Sequence, residues 1–437
     1  MELLDNREHL APVWARYTDL VAERGEGACL YTTDGRSYLD FTCGIGVTNT
    51  GHCHPHVVAA IREQAGLLLH GQANIVYHQP MLALVGALRE VVHPALDTFF
   101  FSNSGAEAVE ASIKLARQAS GRSDVIVFGG GFHGRTAGAM ALTTSKGKYR
   151  GGYAPLPSGV HIAPFAYCFG CAVARAAGKD TAALSAAAPN QNECCGEPLR
   201  QVRHILQTET VPEDVAAILV EPVQGEGGYV VPPQNWLKGL RRICDKHGIL
   251  LIYDEVQSGM GRTGKFFAHE HWGVIGDIIT TAKGIASGLP LGAVIARKEI
   301  MSWPPGSHAS TFGGNPIACR AAMATIKLLD DSLIDNAREV GAYFKQRMVE
   351  LAARHDVIGD VRGLGLMLAT EIVKSKATKE RNPELRNKLE NAAFERGLLI
   401  LGCGENTIRF CPPLVVTRSE VDKCVEIYDA SLKASVK

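Results

Sequence analysis

The chain has 437 residues, which is long for a single hydrophobic core and favours two domains. Hydrophobic residues make up 46% and charged residues 21%, as is typical of soluble globular proteins that bury a sizeable core. Lysine plus arginine equals aspartate plus glutamate at 45 each, so the charge balance indicates neither a nucleic acid nor an anionic membrane as a partner.

The N-terminal segment is charged from Glu2 onward and lacks the apolar core of a signal peptide. No stretch of the sequence approaches the roughly eighteen consecutive apolar residues that a transmembrane helix needs. Twelve cysteines without a secretory signal indicate reduced thiols rather than a disulfide framework. We therefore expect a cytoplasmic protein.

Short apolar runs alternate with helical patterns through the middle of the chain. We predict strands at residues 97–101, 124–128, 215–220, 249–253 and 278–282. Helices are predicted at 105–117, where apolar side chains recur at i, i+4 and i+7, and at 235–247, which Gly248 ends. Buried strands that alternate with helices predict an α/β fold with a mainly parallel sheet covered on both faces.

The pattern changes near residue 326. Long amphipathic helices are predicted at 332–354 and 382–396, separated by short strands such as the one at 364–372. This change predicts a second, smaller α+β domain. The predicted division is an N-terminal segment that packs on the small domain, a large domain and the small domain, at residues 1–60, 61–325 and 326–437 respectively.

A strand, a polar glycine turn and a helix follow one another at Ser102–Ala108. The first N–H groups of such a helix are free, and together with the Ser104 hydroxyl they form a site that suits a phosphate. An ordinary helix N-cap has the same pattern, so both interpretations stay open at this point.

A second glycine-rich turn follows the strand at 124–128 and holds Phe132 and Arg135. Glycines let the backbone approach a ligand, while a phenylalanine can stack on an aromatic ring and an arginine can clamp a carboxylate. A plain turn with a buried Phe132 and a solvated Arg135 explains the same residues.

Asp254 and Glu255 lie at the end of an apolar run. Lys283 follows the next predicted strand and has small residues as its neighbours. Pyridoxal phosphate chemistry requires at least two protein groups: a carboxylate that holds the pyridinium nitrogen and a lysine that forms a Schiff base. A lysine held where the chain is buried has a lowered pKa, which makes it a competent nucleophile and proton carrier.

The same Asp-Glu strand also resembles the magnesium-binding strand of a P-loop nucleotide hydrolase, and Gly259–Lys265 matches the spacing of a phosphate loop. However, Phe266 stands where that loop needs a Ser or Thr for the metal. The candidate loop also lacks a preceding strand of its own. These two departures argue against nucleotide hydrolysis.

One arginine, Arg409, lies in an otherwise apolar segment that is predicted to be a buried strand. A buried arginine needs an anionic partner. A substrate carboxylate or Glu221, which follows the predicted strand at 215–220, is the natural candidate.

The segment at 167–198 is less regular than its surroundings and is interpreted as an excursion on the large domain. It contains four cysteines, at positions 168, 171, 194 and 195. Adjacent cysteines rarely both ligate one ion, and the second half lacks the usual spacing of a zinc site. We therefore predict free thiols and no metal.

Taken in order, these segments resemble the class III (subgroup II) pyridoxal phosphate-dependent aminotransferases, from about residue 35 to residue 414. The motifs that carry the resemblance are GHCHP at 51–55, SNSGAEA at 102–108, FHGR at 132–135, EPVQGEGG at 221–228, DEVQ at 254–257 and the Lys283 segment. The resemblance implies fold type I, with a large domain built on a mainly parallel seven-stranded sheet between helices, and a smaller α+β domain.

The resemblance also implies roles for single residues. Lys283 would be the Schiff-base lysine, Asp254 the partner of the pyridine nitrogen, and Gln257 a neighbour of the phenolic oxygen of the cofactor. Phe132 would stack on the ring. The phosphate would be held by Ser104, Gly105 and Ala106, and further cofactor contacts are implied for His133, Glu221, Val256 and Thr311. Thr311 would reach the phosphate of the neighbouring subunit, which implies a homodimer, or a tetramer built from it, with active sites at the subunit interface.

Members of this family that act on 4-aminobutyrate resemble the chain at Ile45, Arg135, Glu221 and Arg409. In that pattern Arg135 binds the carboxylate of the ω-amino acid. Arg409 binds the α-carboxylate of glutamate or 2-oxoglutarate and pairs with Glu221 when the first substrate is bound. The resemblance thus implies ping-pong transfer of an amino group from an ω-amino acid to a 2-oxo acid. Acetylornithine and ornithine aminotransferases, and amino-acid racemases of the same fold, share several of these residues and are the alternatives.

Overall fold

The computed structural model describes residues 3–14, 16–189 and 193–436. Its strands, in chain order, are β1 (Ala22–Glu26), β2 (Cys29–Thr32), β3 (Ser37–Asp40), β4 (Thr98–Ser102), β5 (Asp124–Phe128), β6 (Val160–Ala163), β7 (Val215–Val220), β8 (Leu250–Asp254), β9 (Ile278–Thr281), β10 (Gly292–Ala296), β11 (Ile358–Leu364), β12 (Met367–Ile372), β13 (Leu398–Leu399), β14 (Leu401–Cys403) and β15 (Thr407–Phe410).

The α-helices, in the same order, are α1 (Cys43–Gly46), α2 (Pro55–Ala65), α3 (Gln79–Val91), α4 (Gly105–Ser120), α5 (Ala137–Leu142), α6 (Ala172–Ala176), α7 (Thr181–Ala186), α8 (Glu197–Thr208), α9 (Gln234–His247), α10 (Pro316–Leu328), α11 (Ile334–Ala353), α12 (Pro383–Glu395) and α13 (Arg418–Ser435). In the described part of the chain, no helix is long and apolar enough to cross a membrane.

Seven strands form the central sheet, in the order β4-β10-β9-β8-β7-β5-β6. Strand β10 runs antiparallel to both of its neighbours, β4 and β9, and the other neighbouring strands are parallel. Strands β7 and β10 are buried along their whole length, as expected when helices cover both faces of a sheet. The predicted α/β fold with a mainly parallel seven-stranded sheet is therefore confirmed.

The helix boundaries follow from capping residues. The Ser104 hydroxyl accepts a hydrogen bond from the N–H of Glu107 at the start of α4. Helix α9 ends at Gly248, whose φ of +63° lies in the left-handed region that glycine adopts without strain. Both helices lie where the sequence predicts them, and α4 continues three residues beyond the predicted 105–117.

A second sheet, in the order β11-β12-β15-β14, packs against α11 and α12. The strand predicted at 364–372 is wrong in where it begins, because Leu364 is the last residue of β11, which forms an antiparallel hairpin with β12. The chain turns at Gly365, whose φ of +54° suits a tight turn and ends the strand pairing. Strand β12 covers the remainder of the predicted range.

The N-terminal strands form a third sheet with the C-terminal part of the chain, in the order β1-β2-β3-β13. Strand β3 pairs in parallel with β13. The excursion at 167–198 also contacts the second sheet, because the Tyr167 hydroxyl donates to Glu371 at 2.7 Å and the Ser185 hydroxyl to Asp360 at 2.7 Å. The division of the chain near residues 60 and 325 stays a prediction.

Candidate active site

The candidate active site lies at the edge of the central sheet where its parallel strands end. Asp254 is the last residue of β8, and Glu221 follows β7. Phe132 lies in the loop after β5, and Lys283 in the turn after β9. Because the carboxyl ends of parallel strands share one edge, these side chains meet around a cavity of about 280 Å³. The cavity is also lined by Gly105, Ala106, His133, Arg135, Val256 and Gln257.

The turn before α4 presents free N–H groups to this cavity. The Ser104 hydroxyl accepts from the N–H of Glu107 at 3.3 Å, and the Glu107 carboxylate accepts from the N–H of Asn103 at 2.8 Å. This reciprocal capping fixes the turn, while the first N–H groups of the helix have no partner within it. A β-carbon at Gly105 would lie 2.7 Å from Val256 Cγ1, so glycine is needed for this close approach. The geometry suits a bound phosphate.

Asp254 is held by two hydrogen bonds. Its Oδ2 lies 2.7 Å from His133 Nδ1, and its Oδ1 accepts from the N–H of Val256 at 3.0 Å. Burial alone would lower the pKa of His133. The hydrogen bond to Asp254 and the charges of Asp254 and Glu221 outweigh this effect, so the pKa is above its ordinary value. His133 therefore acts as a donor that fixes the orientation of the Asp254 carboxylate.

Lys283 lies in the cavity at a strained point of the backbone. Its φ of +47° is uncommon for a residue with a side chain and is stabilised only by the surrounding packing. The next residue has no space for a side chain, because a β-carbon at Gly284 would lie 2.3 Å from Asn49 Nδ2. Burial lowers the pKa of Lys283, while the carboxylates of Glu226 and Asp254 act in the opposite direction. A lowered pKa makes the amine a better nucleophile.

An aromatic and cationic cluster forms one wall of the site. The rings of Phe132 and Tyr149 meet edge to face, with centroids 5.6 Å apart. The Arg135 guanidinium lies 4.5 Å from the Tyr149 centroid and 5.9 Å from that of Phe132. Arg135 is exposed, so a carboxylate can reach it. Sequence reasoning missed Tyr149, because no motif distinguishes it from other surface tyrosines.

Glu221 is buried, and the hydrogen-bond donors to its carboxylate are backbone N–H groups. Its carboxylate accepts hydrogen bonds from the N–H groups of Phe132 at 3.0 Å and Gly225 at 2.8 Å. Burial raises its pKa to about 7, and the nearby Asp254 carboxylate also raises the pKa, while His133 and the two N–H donors lower it. Glu221 thus faces the cavity from the side of Phe132 and Asp254.

The predicted pairing of Arg409 with Glu221 is wrong in this structure. Arg409, on β15, donates from Nη1 to Oε1 of Glu226, and both side chains are almost completely buried. Glu226 lies in the turn after Glu221, and its backbone is held there because its carbonyl accepts from the N–H of Gly404 at 2.6 Å. Sequence reasoning missed Glu226, although its position in EPVQGEGG between two glycines is the signal that identifies it as a candidate.

Gln257 and Ile45 lie on the side of the cavity that faces the N-terminal segment. Among the described residues, Gln257 Oε1 is buried without a hydrogen-bond partner. A β-carbon at Gly46 would lie 3.7 Å from Gln257 Cγ and 3.5 Å from Cys411 Sγ. The turn that contains Ile45 therefore packs against the site, although Ile45 itself is not part of the cavity lining.

Thr311 is exposed and lies outside the lining of the cavity. It belongs to a loop that is anchored by Ser310, whose hydroxyl accepts from Asn103 Nδ2 at 3.0 Å and from the N–H of Gly313 at 3.0 Å. The structure thus does not bring Thr311 into the site of its own subunit.

The glycine-rich segment Gly259–Lys265 is not a phosphate loop. Its Arg262 is completely buried and donates to the carbonyl of Leu366 at 3.2 Å, to the carbonyl of Pro412 and to Asn49 Oδ1 at 2.7 Å. The segment therefore joins the large domain to the N-terminal segment and to the C-terminal part of the chain.

None of the twelve cysteines, all of which lie in the described part of the chain, forms a disulfide bond. Within the excursion, Cys171 Sγ and Cys195 Sγ are 3.6 Å apart. In the part of the chain that the structure describes, no group of three or more His, Cys, Asp or Glu side chains is arranged to hold a metal ion.

Comparison with known proteins identifies the family. Residues 10–432 match the family model Aminotransferase class-III. The chain belongs to the class-III aminotransferases. It is 38% identical over 415 residues to a 5-aminovalerate aminotransferase of Pseudomonas aeruginosa, which covers 93% of this chain and 92% of that protein.

Two other relatives of this class-III aminotransferase have different names. It is 39% identical to an acetylornithine aminotransferase of Methanocaldococcus jannaschii and 36% identical to a 4-aminobutyrate aminotransferase of Escherichia coli. Each match covers 98% of this chain and 96% of the relative. Among solved structures, an (S)-enantioselective ω-transaminase of Thermomicrobium roseum superposes with a TM-score of 0.90 at 33% identity, over 99% of this chain and 98% of that one.

Class-III aminotransferases use pyridoxal 5′-phosphate, and an amine transaminase in its PLP-bound form superposes with a TM-score of 0.87 at 31% identity, over 97% of this chain and 96% of that one. The residues of this site fit that cofactor. The free helix start at Gly105 suits its phosphate, and the carboxylate of Asp254 suits a protonated ring nitrogen. The unpartnered Gln257 Oε1 is buried beside the cavity. Lys283 supplies the amine.

Proposed function

We propose that this aminotransferase moves the amino group of an ω-amino acid, such as 4-aminobutyrate or 5-aminovalerate, to 2-oxoglutarate or another 2-oxo acid. One observation carries this proposal: Arg135 lines the cavity that holds Lys283, and Arg409, which lies outside that lining, is close enough for its charge to act on the pKa of Lys283, so two arginines in different electrostatic states lie near the reacting amine. Arg135 is exposed at the wall of the cavity, whereas Arg409 is buried and neutralised by Glu226. An ω-amino acid has a distant carboxylate and no α-carboxylate, and a 2-oxo diacid has both.

The two arginines provide for both substrates in turn. With an ω-amino acid, Arg135 binds the carboxylate while Arg409 stays paired with Glu226, so no buried cation is left without a partner. With 2-oxoglutarate or glutamate, the α-carboxylate replaces Glu226 on Arg409 and Arg135 binds the second carboxylate. Arg409 and Glu226 lie close enough to Lys283 for their charges to shift its pKa, which supports their place beside the reacting amine.

Each residue of the cavity then has a defined task. Pyridoxal phosphate, when bound, supplies an electron sink for the charge left on the substrate carbon. Lys283 Nζ would take the proton from that carbon and pass it to the cofactor, and in the second half-reaction it would carry a proton in the opposite direction. Asp254, oriented by His133, keeps the ring nitrogen protonated, and Phe132 packs on the ring.

The remaining proposed contacts complete this assignment. Ser104, Gly105 and Ala106 hold the phosphate, Gln257 lies near the phenolic oxygen, and Glu221 and Val256 line the cofactor side of the cavity. Ile45 lies outside the cavity lining, in the turn that packs against the site, and would border the substrate space from there.

We infer a homodimer in which Thr311 contributes to the site of the partner subunit. Thr311 lies next to an exposed apolar surface, because Phe312 is 62% exposed and Tyr77 is 82% exposed. Phe312 is joined to the 67–77 segment by its contact with His70, with ring centroids 5.5 Å apart. Exposed apolar surface of this kind marks an interface. Thr311→Ala should then weaken cofactor binding without changing the fold, and sedimentation should show a dimer.

We infer a reducing compartment, such as the cytoplasm, where the twelve cysteines of this chain would stay as thiols.

A donor and acceptor panel tests the proposed function. The purified enzyme is incubated with 4-aminobutyrate, 5-aminovalerate, acetylornithine, ornithine and single-enantiomer α-amino acids, each with and without 2-oxoglutarate. We expect glutamate to form only when an ω-amino acid and 2-oxoglutarate are both present. Optical inversion of an α-amino acid without any oxo acid would contradict the proposal and support a racemase. Loss of the visible absorption band of the bound cofactor in Lys283→Ala checks the lysine assignment separately.

Acetylornithine is the alternative donor, because the acetylornithine aminotransferase of Methanocaldococcus jannaschii is as similar to this chain as the relatives that act on ω-amino monoacids. Acetylornithine carries an α-carboxylate, but its transferred amino group is at the distant end of the chain. It therefore presents a carboxylate to Arg135 in the same way. A ratio of kcat/KM that favours acetylornithine over 5-aminovalerate would assign this alternative.

A further inference from the structure

Glu226 has a second cationic neighbour besides Arg409. Lys146 Nζ lies 3.9 Å from Glu226 Oε2, on the carboxylate oxygen that Arg409 does not use. The Lys146 side chain is 25% exposed and the Glu226 side chain is 10% exposed. The carboxylate thus lies between two cations, one buried and one in contact with water.

Lys146 is positioned by hydrogen bonds between the two residues that precede it and the loop that holds Phe132. The Thr144 hydroxyl accepts from the N–H of Gly131 at 2.9 Å and donates to the carbonyl of Phe128 at 2.5 Å. The N–H of Ser145 donates to the carbonyl of Gly131 at 2.9 Å. Lys146 follows directly, so its backbone is anchored to the end of β5 rather than free in a surface loop.

Substrate exchange creates a need for a second cation. When an α-carboxylate takes Arg409, the buried Glu226 loses its partner, and a buried carboxylate without a cation is strongly unfavourable. Burial alone would raise the pKa of Glu226, but the positive charges of Arg409 and Lys146 outweigh this effect. The pKa is therefore below its ordinary value, and Glu226 is ionised in the resting site. Lys146 is already placed to keep it so.

We propose that Lys146 is a positioning residue that receives Glu226 when Arg409 binds the α-carboxylate of a 2-oxo acid or α-amino acid. This inference rests on the proposed function, because it requires that Arg409 exchanges partners. Lys146 then sets the affinity of the enzyme for substrates with an α-carboxylate. Substrates with only a distant carboxylate leave the Arg409–Glu226 pair closed and do not use it.

Separate measurement of the two half-reactions tests this inference. The holoenzyme is mixed with 4-aminobutyrate in one arm, and the amine form of the enzyme is mixed with 2-oxoglutarate in the other. For Lys146→Met we expect the KM for 2-oxoglutarate to rise about fivefold to tenfold, as for loss of a largely buried ion pair, with the KM for 4-aminobutyrate changed less than about twofold. Lys146→Arg should restore the wild-type value.

The matched control is Lys148→Met. Lys148 lies two residues away and also approaches the Tyr149 ring, at 5.9 Å, but it is exposed and forms no ion pair with a described carboxylate. It should change neither half-reaction. In an Arg409→Met background, Lys146→Met should have no further effect on 2-oxoglutarate, since the partner exchange no longer occurs.

The outcomes separate the two proposals. If wild-type enzyme does not use any 2-oxo acid through Arg409, the proposed function fails and this inference fails with it. If the wild type does so and Lys146→Met leaves the KM for 2-oxoglutarate unchanged, only the role of Lys146 is refuted. Equal losses in both half-reactions would show a structural role for Lys146 and would also refute the inference.

Discussion

Replacement of Arg409 by methionine should remove recognition of the α-carboxylate and leave recognition of the ω-carboxylate. Arg409 lies on β15, between β12 and β14, and is 4% exposed. Methionine fills a similar length without a charge, and the backbone pairing of β15 does not depend on the side chain. The perturbation is therefore confined to the ion pair with Glu226 and to the carboxylate that replaces it.

The size of the effect follows from the burial of the site. Removing one partner of a buried, hydrogen-bonded charge pair costs about 2–5 kcal/mol. This corresponds to a loss of roughly 30-fold to several thousand-fold in kcat/KM for 2-oxoglutarate and glutamate. For 4-aminobutyrate the loss in kcat/KM should stay below about tenfold, because Arg135 is unchanged in this variant. Glu226 has lost Arg409 but still has Lys146 Nζ at 3.9 Å from its Oε2.

Single-turnover absorbance of the cofactor measures both half-reactions without coupling enzymes. Arg135→Met should instead cause a large loss for 4-aminobutyrate and also a loss for 2-oxoglutarate, because Arg135 binds the distant carboxylate of both substrates. Arg381→Met is the control, since Arg381 is exposed and paired with Glu405 at the surface. Equal losses for donor and acceptor in Arg409→Met, or a loss confined to 4-aminobutyrate, would refute the assignment of the two arginines.

Three further predictions concern other parts of the molecule. Arg262→Met should destabilise the protein by about 3–5 kcal/mol, since it leaves buried carbonyls and Asn49 without a donor; calorimetry should show a lower Tm with unchanged secondary structure. Burial raises the pKa of Glu221 from 4.5 to about 7, so the folded state binds more protons than the unfolded state between these values, and the associated stability is lost as pH rises. Glu221→Gln should therefore gain up to about 3 kcal/mol relative to wild type as pH rises from about 5 to about 8, seen as a growing Tm difference in the cofactor-free protein. Cys171 and Cys195 should form a disulfide on treatment with diamide, detected as a cross-linked peptide that is absent in Cys195→Ser.

The central sheet could be predicted because its strands are buried on both faces. Such strands appear in the sequence as continuous apolar runs, and Val215–Val220 is a clear example. Local capping signals predicted the helix ends at Ser104 and Gly248 equally well. The hairpin at 358–372 could not be predicted in the same way, because its turn depends on the positive φ of Gly365 within an apolar segment that has no polar turn residues.

The cofactor side of the site was predictable for the same local reason. Its residues follow the carboxyl ends of predicted parallel strands, which must meet at one edge of the sheet. Tyr149 and Lys146 were not predictable, since they follow no strand directly. They reach the site because the backbone of Thr144 and Ser145 is bonded to Gly131, a contact between segments that no sequence periodicity encodes.

The glutamate that pairs with Arg409 could not be predicted from the motifs alone. Glu221 and Glu226 lie in one motif, and either could reach a buried arginine from the same turn. Glu221 is already satisfied by two backbone N–H groups, and its raised pKa leaves it partly protonated near neutral pH, which makes it a poor counter-ion. Glu226 has a lowered pKa and lies between two cations. An exchange of carboxylates on Arg409 requires a partner that stays charged in both states, and among these two glutamates only Glu226 has the surroundings for it.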